Sequence, residues 1–431
     1  MRTVIFGFGI AANHVKTLAP SLAAILLFGL VPSSVRAEGC PPGSPPASAS
    51  EPDSKDAEPW NDDRLVDPMS RQGQAARGLY FNGPVARRLG AKGMIRAVKQ
   101  ARMNAAVINL KDEEGRVFYD TEIDVLQQQK QRGYGNTARS VRAMREAGIY
   151  VIGRIVCFSD PVLPRAHHDR AVLDARPQRA GRIWADVGRR RNPWLDPYNR
   201  QNHDMFVQMV SEGEALGLSE IQLDYFRFPV DESTIHARFP AEVETPRRRV
   251  LLGLLRRMDR AIRIPIGIDV FGLAAFRDGD PAGLGQSLTD WALHAEVFSP
   301  MLYVNAMSAW LLAQKKNRAG TLIEAGVRRL RQRLGYGPVI RPFLQAFPQG
   351  ADYYTAEFIA EQIKGARNGG GDGYLFWHPG SRFGLVRDTM NRARAVAAPF
   401  DLEERMAWRR QAWADNMSPA ARAAFFAEVR R

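Results

Sequence analysis

Two aspartates stand in neighbouring short apolar runs of the sequence, at places where an acidic pair could catalyse hydrolysis. Asp224 lies in the run Glu220–Phe226, and Asp269 lies in the run Ile264–Phe271. Side chains alternate between the two faces of a strand. In the second run the isoleucines and the valine share one face, which leaves Asp269 on the other. Because an apolar face must be covered by other elements, both aspartates are predicted to point the opposite way, near the carboxyl ends of their strands.

Two carboxylates that face a common space suit the hydrolysis of a glycosidic bond. One protonates the leaving oxygen while the other stabilises or attacks the anomeric carbon. The two groups need different pKa values, so their surroundings must differ. A nearby cation would keep one of them charged, and the sequence offers Lys111, Arg154 and Arg227. Asp112, at the end of another run, is either a third candidate carboxylate or a residue that caps a turn.

The order of apolar and amphipathic segments predicts the fold that positions these residues. Eight runs are predicted to be strands: Arg77–Asn82, Ala105–Asp112, Tyr150–Phe158, Glu220–Phe226, Ile264–Phe271, Glu296–Tyr303, Pro338–Gln345 and Gly373–His378. Helical patterns lie between them, which predicts a parallel sheet buried on both faces. Eight strand–helix units predict an α/β protein with a closed (β/α)8 TIM barrel. An open doubly wound sheet is the alternative, but no glycine-rich phosphate loop follows the first strand.

The predicted carboxyl ends of the strands carry the remaining candidate residues. Long loops, residues 159–200 after strand three and 272–294 after strand five, are predicted to lie at this face, where barrel active sites are built. Polar residues expected inside the barrel or at its rim are Asn82, Asn109, Lys111, Arg154, Tyr303, Arg341, Gln345 and His378. Burying polar groups is costly. We therefore predict one polar site; the alternative is a set of structural residues that satisfy one another.

Aromatic residues near the same face could stack on sugar rings. The candidates are Trp184, Trp194, Tyr198, Tyr225, Tyr303 and Trp377. Ring faces contact the C–H faces of sugars, and polar tips bind hydroxyl groups. For each of these side chains, packing in the core is an equally good interpretation.

The N-terminus predicts export. Residues 1–37 contain three basic residues and no acid, and the apolar stretch Leu18–Val31 is shorter than a membrane span. This pattern predicts a signal peptide that is cleaved after Ala37, a periplasmic or extracellular location and no stable membrane span afterwards. A retained anchor is the alternative. Residues 38–75, rich in Pro, Ser and Ala, are predicted to be a flexible linker. The barrel is expected over residues 76–398, and a helical extension over 399–431.

Charge and cysteine content narrow the classes of partner. The 431 residues carry 60 Lys and Arg against 46 Asp and Glu, a formal charge of +14. Such a charge allows an anionic polysaccharide as partner, but an arginine-rich surface without an acidic partner is the simpler interpretation. No nucleic-acid-binding motif accompanies the scattered arginines. Cys40 and Cys157 lie in the predicted linker and a predicted core strand, so no disulfide is expected. No metal or cofactor is predicted, because adjacent His167 and His168 alone are poor evidence for one. The oligomeric state is left open.

Several stretches, taken in order, resemble the bacterial family named "putative glycosyl hydrolase domain", which is related to TIM-barrel glycosidases. They are Gly78–Tyr80, Asn104–Asp112, Arg154–Phe158, Trp194–Asn199, Glu220–Pro229, Asp269–Gly272, Ser299–Tyr303 and Gly373–Trp377, and together they span about residues 76–395. The resemblance implies a barrel and glycosidase activity, with Asp224 as nucleophile and Asp269 as proton donor. One departure is Tyr303-Val304-Asn305, where the family pattern has Tyr-Pro.

We therefore predict a glycoside hydrolase that cleaves an envelope or extracellular polysaccharide. Asp224 and Asp269 are the predicted catalytic residues. Predicted substrate-binding residues are Lys111, Asp112, Arg154, Trp194, Asp196, Tyr225, Arg227, Tyr303, Gln345, Trp377 and His378. The alternatives are a non-catalytic polysaccharide-binding barrel and an envelope scaffold that uses its basic surface.

Overall fold

A single parallel sheet organises the part of the chain that the structure describes. The computed structural model describes residues 69–130, 137–185, 192–230, 234–277, 280, 283–304, 318–351, 353–407 and 409. Its strands are β1 (Arg77–Phe81), β2 (Ala105–Lys111), β3 (Tyr150–Val156), β4 (Glu220–Asp224), β5 (Ile266–Val270), β6 (Val297–Pro300), β7 (Val339–Ile340), β8 (Phe343–Gln345) and β9 (Tyr374–Trp377). They are hydrogen-bonded in the order β8-β9-β1-β2-β3-β4-β5-β6-β7.

The two ends of this order belong to one stretch of chain, and this closes the sheet into a barrel. β7 pairs with β6 and β8 pairs with β9, both in parallel. Met301, just after β6, also bridges to Phe343 in β8. The seventh predicted strand is therefore present but interrupted at Arg341 and Pro342, and proline has no N–H to give to a ladder. The predicted α/β (β/α)8 barrel is confirmed.

Helices cover the outside of the barrel. They are α1 (Arg71–Gln74), α2 (Gly83–Gln100), α3 (Thr137–Glu146), α4 (Leu163–Ala166), α5 (Arg200–Ala215), α6 (Arg247–Ala261), α7 (Leu288–Trp291), α8 (Arg318–Leu334), α9 (Ala356–Asn368), α10 (Gly384–Arg392) and α11 (Arg394–Ala397). Their buried residues follow the helical period, as with Leu251, Leu254, Leu255 and Met258 in α6. Among the described residues, no helix is both long enough and apolar enough to span a membrane.

The long loops after β3 and β4 pack on each other at the carboxyl ends of the strands. A two-residue ribbon pairs Leu173–Asp174 with Ala237–Arg238 in antiparallel fashion. Within the loop after β3, Ser159 bridges to Trp194. These contacts place the described parts of both loops beside the strand ends, as predicted for the loop after strand three.

The opposite end of the barrel is closed by the two ends of the described chain. Buried Asp372 contacts Arg331, Arg405 and Arg409, and Arg409 also donates to Gln74. Residues 69–75, which we assigned to the linker, thus belong to this end, as do residues 400–407 and 409 of the predicted extension. The remainder of both segments, the predicted signal peptide and Cys40 lie outside the described residues, and Cys157 is a buried free thiol.

The interior of the barrel has an apolar side and a polar side. The apolar cluster comes from β1, β2, β3, β8 and β9 and includes Tyr80, Val107, Ile152, Phe343 and Leu375. Most inward positions of β4, β5 and β6 are instead polar or lack a side chain, with Val297 as the apolar exception. They are occupied by Glu220, Gln222, Asp224, Gly267, Asp269 and Ser299. The catalytic candidates therefore belong to a polar half of the interior.

Candidate active site

Asp224 and Asp269 face the barrel interior at the same level of adjacent strands. The parallel pairing of β4 and β5 places Leu223 beside Ile268, so the next residue of each strand is one of the two aspartates. Leu223 and Ile268 belong to the large core outside the barrel interior, which leaves the aspartates on the inner face. Their side chains are 6% and 1% exposed. The structure thus brings together the two acids that strand alternation pairs, and their catalytic role stays a prediction.

Arg154 on β3 links the two carboxylates. Its Nε and Nη2 donate to Asp224 Oδ2 at 3.1 and 2.5 Å, and its Nε lies 3.9 Å from Asp269 Oδ2. Two oxygens 3.1 and 3.9 Å from one nitrogen are at most 7.0 Å apart. Carboxyl groups are about 5–5.5 Å apart in retaining glycosidases and about 6.5–9.5 Å apart in inverting ones. The upper limit on the distance between the two Oδ2 atoms includes the spacing of retaining enzymes and only the shortest spacings of inverting ones.

The guanidinium of Arg154 is itself held in place by neighbours on β1 and β2. Arg154 Nη1 donates to Asn109 Oδ1 at 3.0 Å, and Asn109 Nδ2 donates to the Tyr80 hydroxyl at 3.0 Å. The guanidinium also lies 5.4 Å from the centre of the Tyr80 ring. Glu113, whose side chain is 36% exposed, lies 3.5 Å from Arg154 Nη1 and is a third carboxylate at the site.

The two aspartates have different surroundings. Asp224 accepts the Arg154 bonds and, through Oδ1, a bond from the Tyr225 amide at 2.7 Å. Neither oxygen of Asp269 accepts a hydrogen bond from a described residue. Burial raises the pKa of Asp269 well above its usual value, the charge of Asp224 raises it further, and Arg154 opposes both. Asp269 is therefore the member of the pair that is suited to carry a proton.

Four aromatic side chains form a wall on the apolar side of the interior; this aromatic wall is Tyr80, Tyr303, Phe347 and Trp377. The Trp377 ring centre lies 5.5 Å from that of Tyr303, 5.3 Å from that of Phe347 and 6.3 Å from that of Tyr80. Tyr303 belongs to the apolar cluster of the interior, and burial, followed by the charges of Asp269 and Asp224, raises its pKa. Trp377 is partly exposed, and a sugar could stack on it.

Sequence reasoning named the acid pair, Arg154, Asn109, Tyr303 and Trp377, but it missed Tyr80, Glu113 and Phe347. The inward direction of Tyr80 could have been found, because Leu79 beside it belongs to the outer core. Glu113 adjoins the predicted Asp112 and was passed over. Phe347 follows β8 in a loop, where no periodicity indicates direction.

Lys111 is not the cation beside the catalytic candidates. Its Nζ lies 2.8 Å from Asp160 Oδ2 and donates to the Val156 carbonyl at 3.0 Å, and both side chains of the ion pair are fully buried. The strand register shifts between Asn109 and Lys111, and such a bulge breaks the alternation of side chains. Of the three cations that we considered, Arg154 is the one that lies beside Asp224 and Asp269.

Asp112 caps a turn, the second of the two interpretations. Its Oδ1 accepts the amides of Glu114 and Arg116, both at 3.0 Å. The Arg116 side chain donates to Oδ2 at 2.8 Å. Asp112 is 1% exposed, so it offers almost no surface to a ligand here.

Trp194, Asp196, Tyr225 and Arg227 connect the loops around the site. The Arg227 guanidinium lies 5.0, 5.1 and 5.3 Å from the rings of Trp194, Tyr225 and Phe271. Asp196 accepts the amides of Tyr198 and Ala241, both at 2.9 Å, and burial raises its pKa to about 6. Trp194 and Asp196 are buried, while Tyr225 is partly exposed. Substrate contact by these residues stays a prediction.

Gln345 and His378 support loops at the same face. Gln345 Nε2 donates to the carbonyls of Phe347 and Gln349 at 2.9 and 2.8 Å, and so positions a member of the aromatic wall. His378 Nδ1 accepts the Gly380 amide at 2.8 Å. Burial, with help from Arg382, lowers the pKa of His378 to about 4, so this imidazole is neutral at pH 7. Their contact with substrate also stays a prediction.

Arg341 is inside the barrel but at the end away from the site. It binds Glu220 at the start of β4 and the carbonyl of Gly73, which precedes β1. Its side chain is fully buried, so of the two positions that we considered, inside the barrel or at its rim, Arg341 takes the first. Among the described residues, no group of three or more His, Cys, Asp or Glu is arranged to hold a metal ion.

Comparisons with known proteins agree with this architecture. The structure of the PgaB (BpsB) glycoside hydrolase domain from Bordetella bronchiseptica is similar with a TM-score of 0.53 and 12% identity, over 76% of this chain and 99% of that one. The α-galactosidase TtGalA from Thermus thermophilus gives 0.48 and 14%, over 76% and 62%. A hypothetical protein from Ruminiclostridium thermocellum gives 0.39 and 26%, over 44% and 97%. At 12% identity, the likeness to the PgaB domain shows a common fold.

A search of curated proteins found no match. The family described as "Putative glycosyl hydrolase domain" matches residues 78–383, from β1 to the start of α10. This range contains the acid pair, Arg154 and the aromatic wall. The chain belongs to that family, and its barrel is glycosidase-like.

Proposed function

We propose that the protein is a glycoside hydrolase in which Asp224 and Asp269 are the catalytic carboxylates. The observation that supports the proposal is that the two facing acids have different surroundings. Asp224 receives a charged fork from Arg154, whereas Asp269 accepts no hydrogen bond from a described residue and its pKa is raised, first by burial. When the surroundings of two carboxyl groups separate their pKa values, the group with the higher pKa is suited to donate the proton and the other group acts as its partner.

In the proposed reaction Asp269 gives its proton to the glycosidic oxygen as the bond to the anomeric carbon breaks. Asp224 supplies the electron pair that forms the new bond to that carbon, and the leaving sugar departs neutral. Asp269, now charged, takes a proton from water, whose oxygen displaces Asp224 and restores both groups. The upper limit of 7.0 Å between their Oδ2 atoms supports this retaining course.

The aromatic wall supports a carbohydrate substrate. Trp377 is partly exposed beside Tyr303, whose pKa the charges of the two acids help to raise, and such aromatic surfaces bind sugar rings. An envelope or extracellular polysaccharide is the substrate class that the predicted signal peptide supports. The formal charge of +14 allows an anionic one.

The test is release of reducing ends from a panel of envelope and extracellular glycans. Wild type should release sugar, and Asp224→Asn should lose at least about 1,000-fold in rate with an unchanged circular dichroism spectrum. Asp259→Asn is the matched control, because Asp259 is a buried acid that pairs with His294 outside the barrel interior. Equal rates for Asp224→Asn and wild type would remove Asp224 from the mechanism.

One observation favours a non-catalytic polysaccharide-binding barrel instead. The side chains of both aspartates are at most 6% exposed in this structure, so little of either carboxylate is open to a ligand. That alternative predicts glycan binding with no released sugar across the panel. Salt-sensitive association with acidic polymers that survives loss of both aspartates would instead indicate the envelope scaffold.

A further inference from the structure

Below the acid pair, polar side chains continue down one side of the barrel. Gln222 Nε2 donates to Ser299 Oγ at 3.3 Å. The two residues are on β4 and β6, so the bond passes over β5, where the residue beside Gln222 is Gly267. On β6 the residue beside Gly267 is Val297, and Ser299 is beside Asp269. The bond therefore runs obliquely across β5, from the level of Gly267 to that of Asp269.

A buried ion pair lies below the hydrogen bond between Gln222 and Ser299. Glu220 is two residues before Gln222 on the same face of β4, and its two oxygens lie 3.0 and 3.1 Å from Arg341 Nη1. Both side chains are fully buried. A Cβ atom at Gly267 would lie 2.9 Å from Glu220 Oε1. The absence of a side chain at Gly267 thus gives room to Glu220.

Several polar atoms along this side are buried and unbonded within the described residues. They are Gln222 Oε1, both carboxylate oxygens of Asp269 and Arg341 Nε. Native proteins leave few buried polar groups without a partner. Ordered internal water usually supplies the missing bonds, with about three contacts per molecule. Four such atoms on one side of one barrel indicate a hydrated interior.

We propose that Glu220, Gln222, Ser299 and Arg341, here called the polar column, bind ordered water inside the barrel, and that Glu220 is a positioning residue that keeps the proton on Asp269. The ligand is water, held between the acid pair and the ion pair below it. This inference rests on the proposed function in giving Asp269 the role of proton donor. The inference goes further because it gives a role to residues other than Asp224 and Asp269.

The charges around Asp269 favour this arrangement. From β4 it faces Asp224 and, lower down, Glu220; from β3 it faces Arg154. The charge of Glu220 raises the pKa of Asp269, in the same direction as burial and Asp224, and Arg154 opposes them. The acid pair also acts on Tyr303, and on Cys157 in the outer core, but burial raises both of their pKa values, so both groups are neutral at pH 7. Glu220 is therefore the charged group below Asp269 that acts on it, and Arg341 is the cation that holds Glu220 in place.

The experiment measures the titration of Asp269 directly and needs no substrate. Full-length protein is labelled with carboxyl-¹³C aspartate, and the Asp269 resonance is assigned by its loss in Asp269→Asn. In Glu220→Gln the midpoint should fall by about one pH unit or more, because a like charge is removed. Asp372→Asn is the matched control: Asp372 is an equally buried, arginine-paired acid at the same end of the barrel. Replacement of Asp372 should leave the titration midpoint of Asp269 unchanged.

A second variant keeps the test decisive if Glu220→Gln does not fold. Gln222→Leu retains every charge but removes a water partner. High-resolution crystallography should show water bound to Asp269 and Gln222 in wild type and lost in Gln222→Leu, with a shifted Asp269 midpoint. A dry interior in wild type, or a midpoint unmoved in both variants, overturns the inference. A shifted midpoint together with full activity of Asp224→Asn would instead contradict the proposed function alone.

Discussion

Arg154 directs two of its nitrogens to a single oxygen of Asp224, at 3.1 and 2.5 Å. The same guanidinium approaches Asp269 only from 3.9 Å. Arg154 thus forms hydrogen bonds with one of the two neighbouring acids and not with the other. A site that must both donate a proton and supply an electron pair needs this difference.

Arg154→Lys should lower turnover about 100-fold or more while the protein stays folded. Lysine keeps the positive charge but lacks the planar fork that reaches Asp224 and Asn109 together. The measurement is kcat on the glycan that the panel identifies. Arg405→Lys, which changes an arginine at the far end of the barrel, is the control and should match wild type. A fully active Arg154→Lys variant would show that the fork is dispensable.

Gly267→Ala should lower the free energy of unfolding by about 1–3 kcal/mol. The new Cβ atom would lie 2.9 Å from Glu220 Oε1, which is fixed by Arg341. Urea denaturation measures the change. Gly253→Ala is the matched control, because Gly253 lies in α6 with no atom within 4 Å of the added carbon, and it should stabilise the helix by about 0.5–1 kcal/mol. Equal effects of the two variants would contradict the crowding at Gly267.

Asp269→Asn should raise the melting temperature at pH 7 and lose this advantage in acid. The pKa of Asp269 is raised in the folded protein from its usual value of 3.8. Below that value the carboxyl group is protonated in both states; above it the unfolded chain releases the proton first, so the stability of the wild type falls as the pH rises. Calorimetry of both proteins between pH 3 and 7 tests this. A difference that does not change with pH would argue against a protonated Asp269.

Trp377→Ala should weaken glycan binding about 5- to 10-fold, since stacking on an aromatic ring is worth about 1 kcal/mol. Trp377→Phe keeps a ring at this position in the aromatic wall and should lose less. Titration calorimetry in the Asp224→Asn background measures affinity without turnover. Unchanged affinity in Trp377→Ala would place the sugar elsewhere.

Strand periodicity was sufficient to predict the barrel and the inward direction of its acid pair. It failed where the strands are irregular. The register shift before Lys111 and the interruption at Pro342 beside Arg341 both break the alternation on which the prediction depends. The partners of these residues could not be predicted either: Glu220 and Arg341 are 121 positions apart, and only closure of the barrel brings them together.

The most direct test of the acid pair compares two substrates that differ in their leaving group. Asp269→Asn should release a good aryl leaving group in a first-turnover burst almost as fast as wild type but should fail on the natural glycan, because only the latter needs a proton in the first step. The second step, in which Asp269 takes a proton from water, should stay slow on both substrates. Asp224→Asn should fail on both substrates. Cleavage of the aryl glycoside by Asp224→Asn at the wild-type rate would contradict the account.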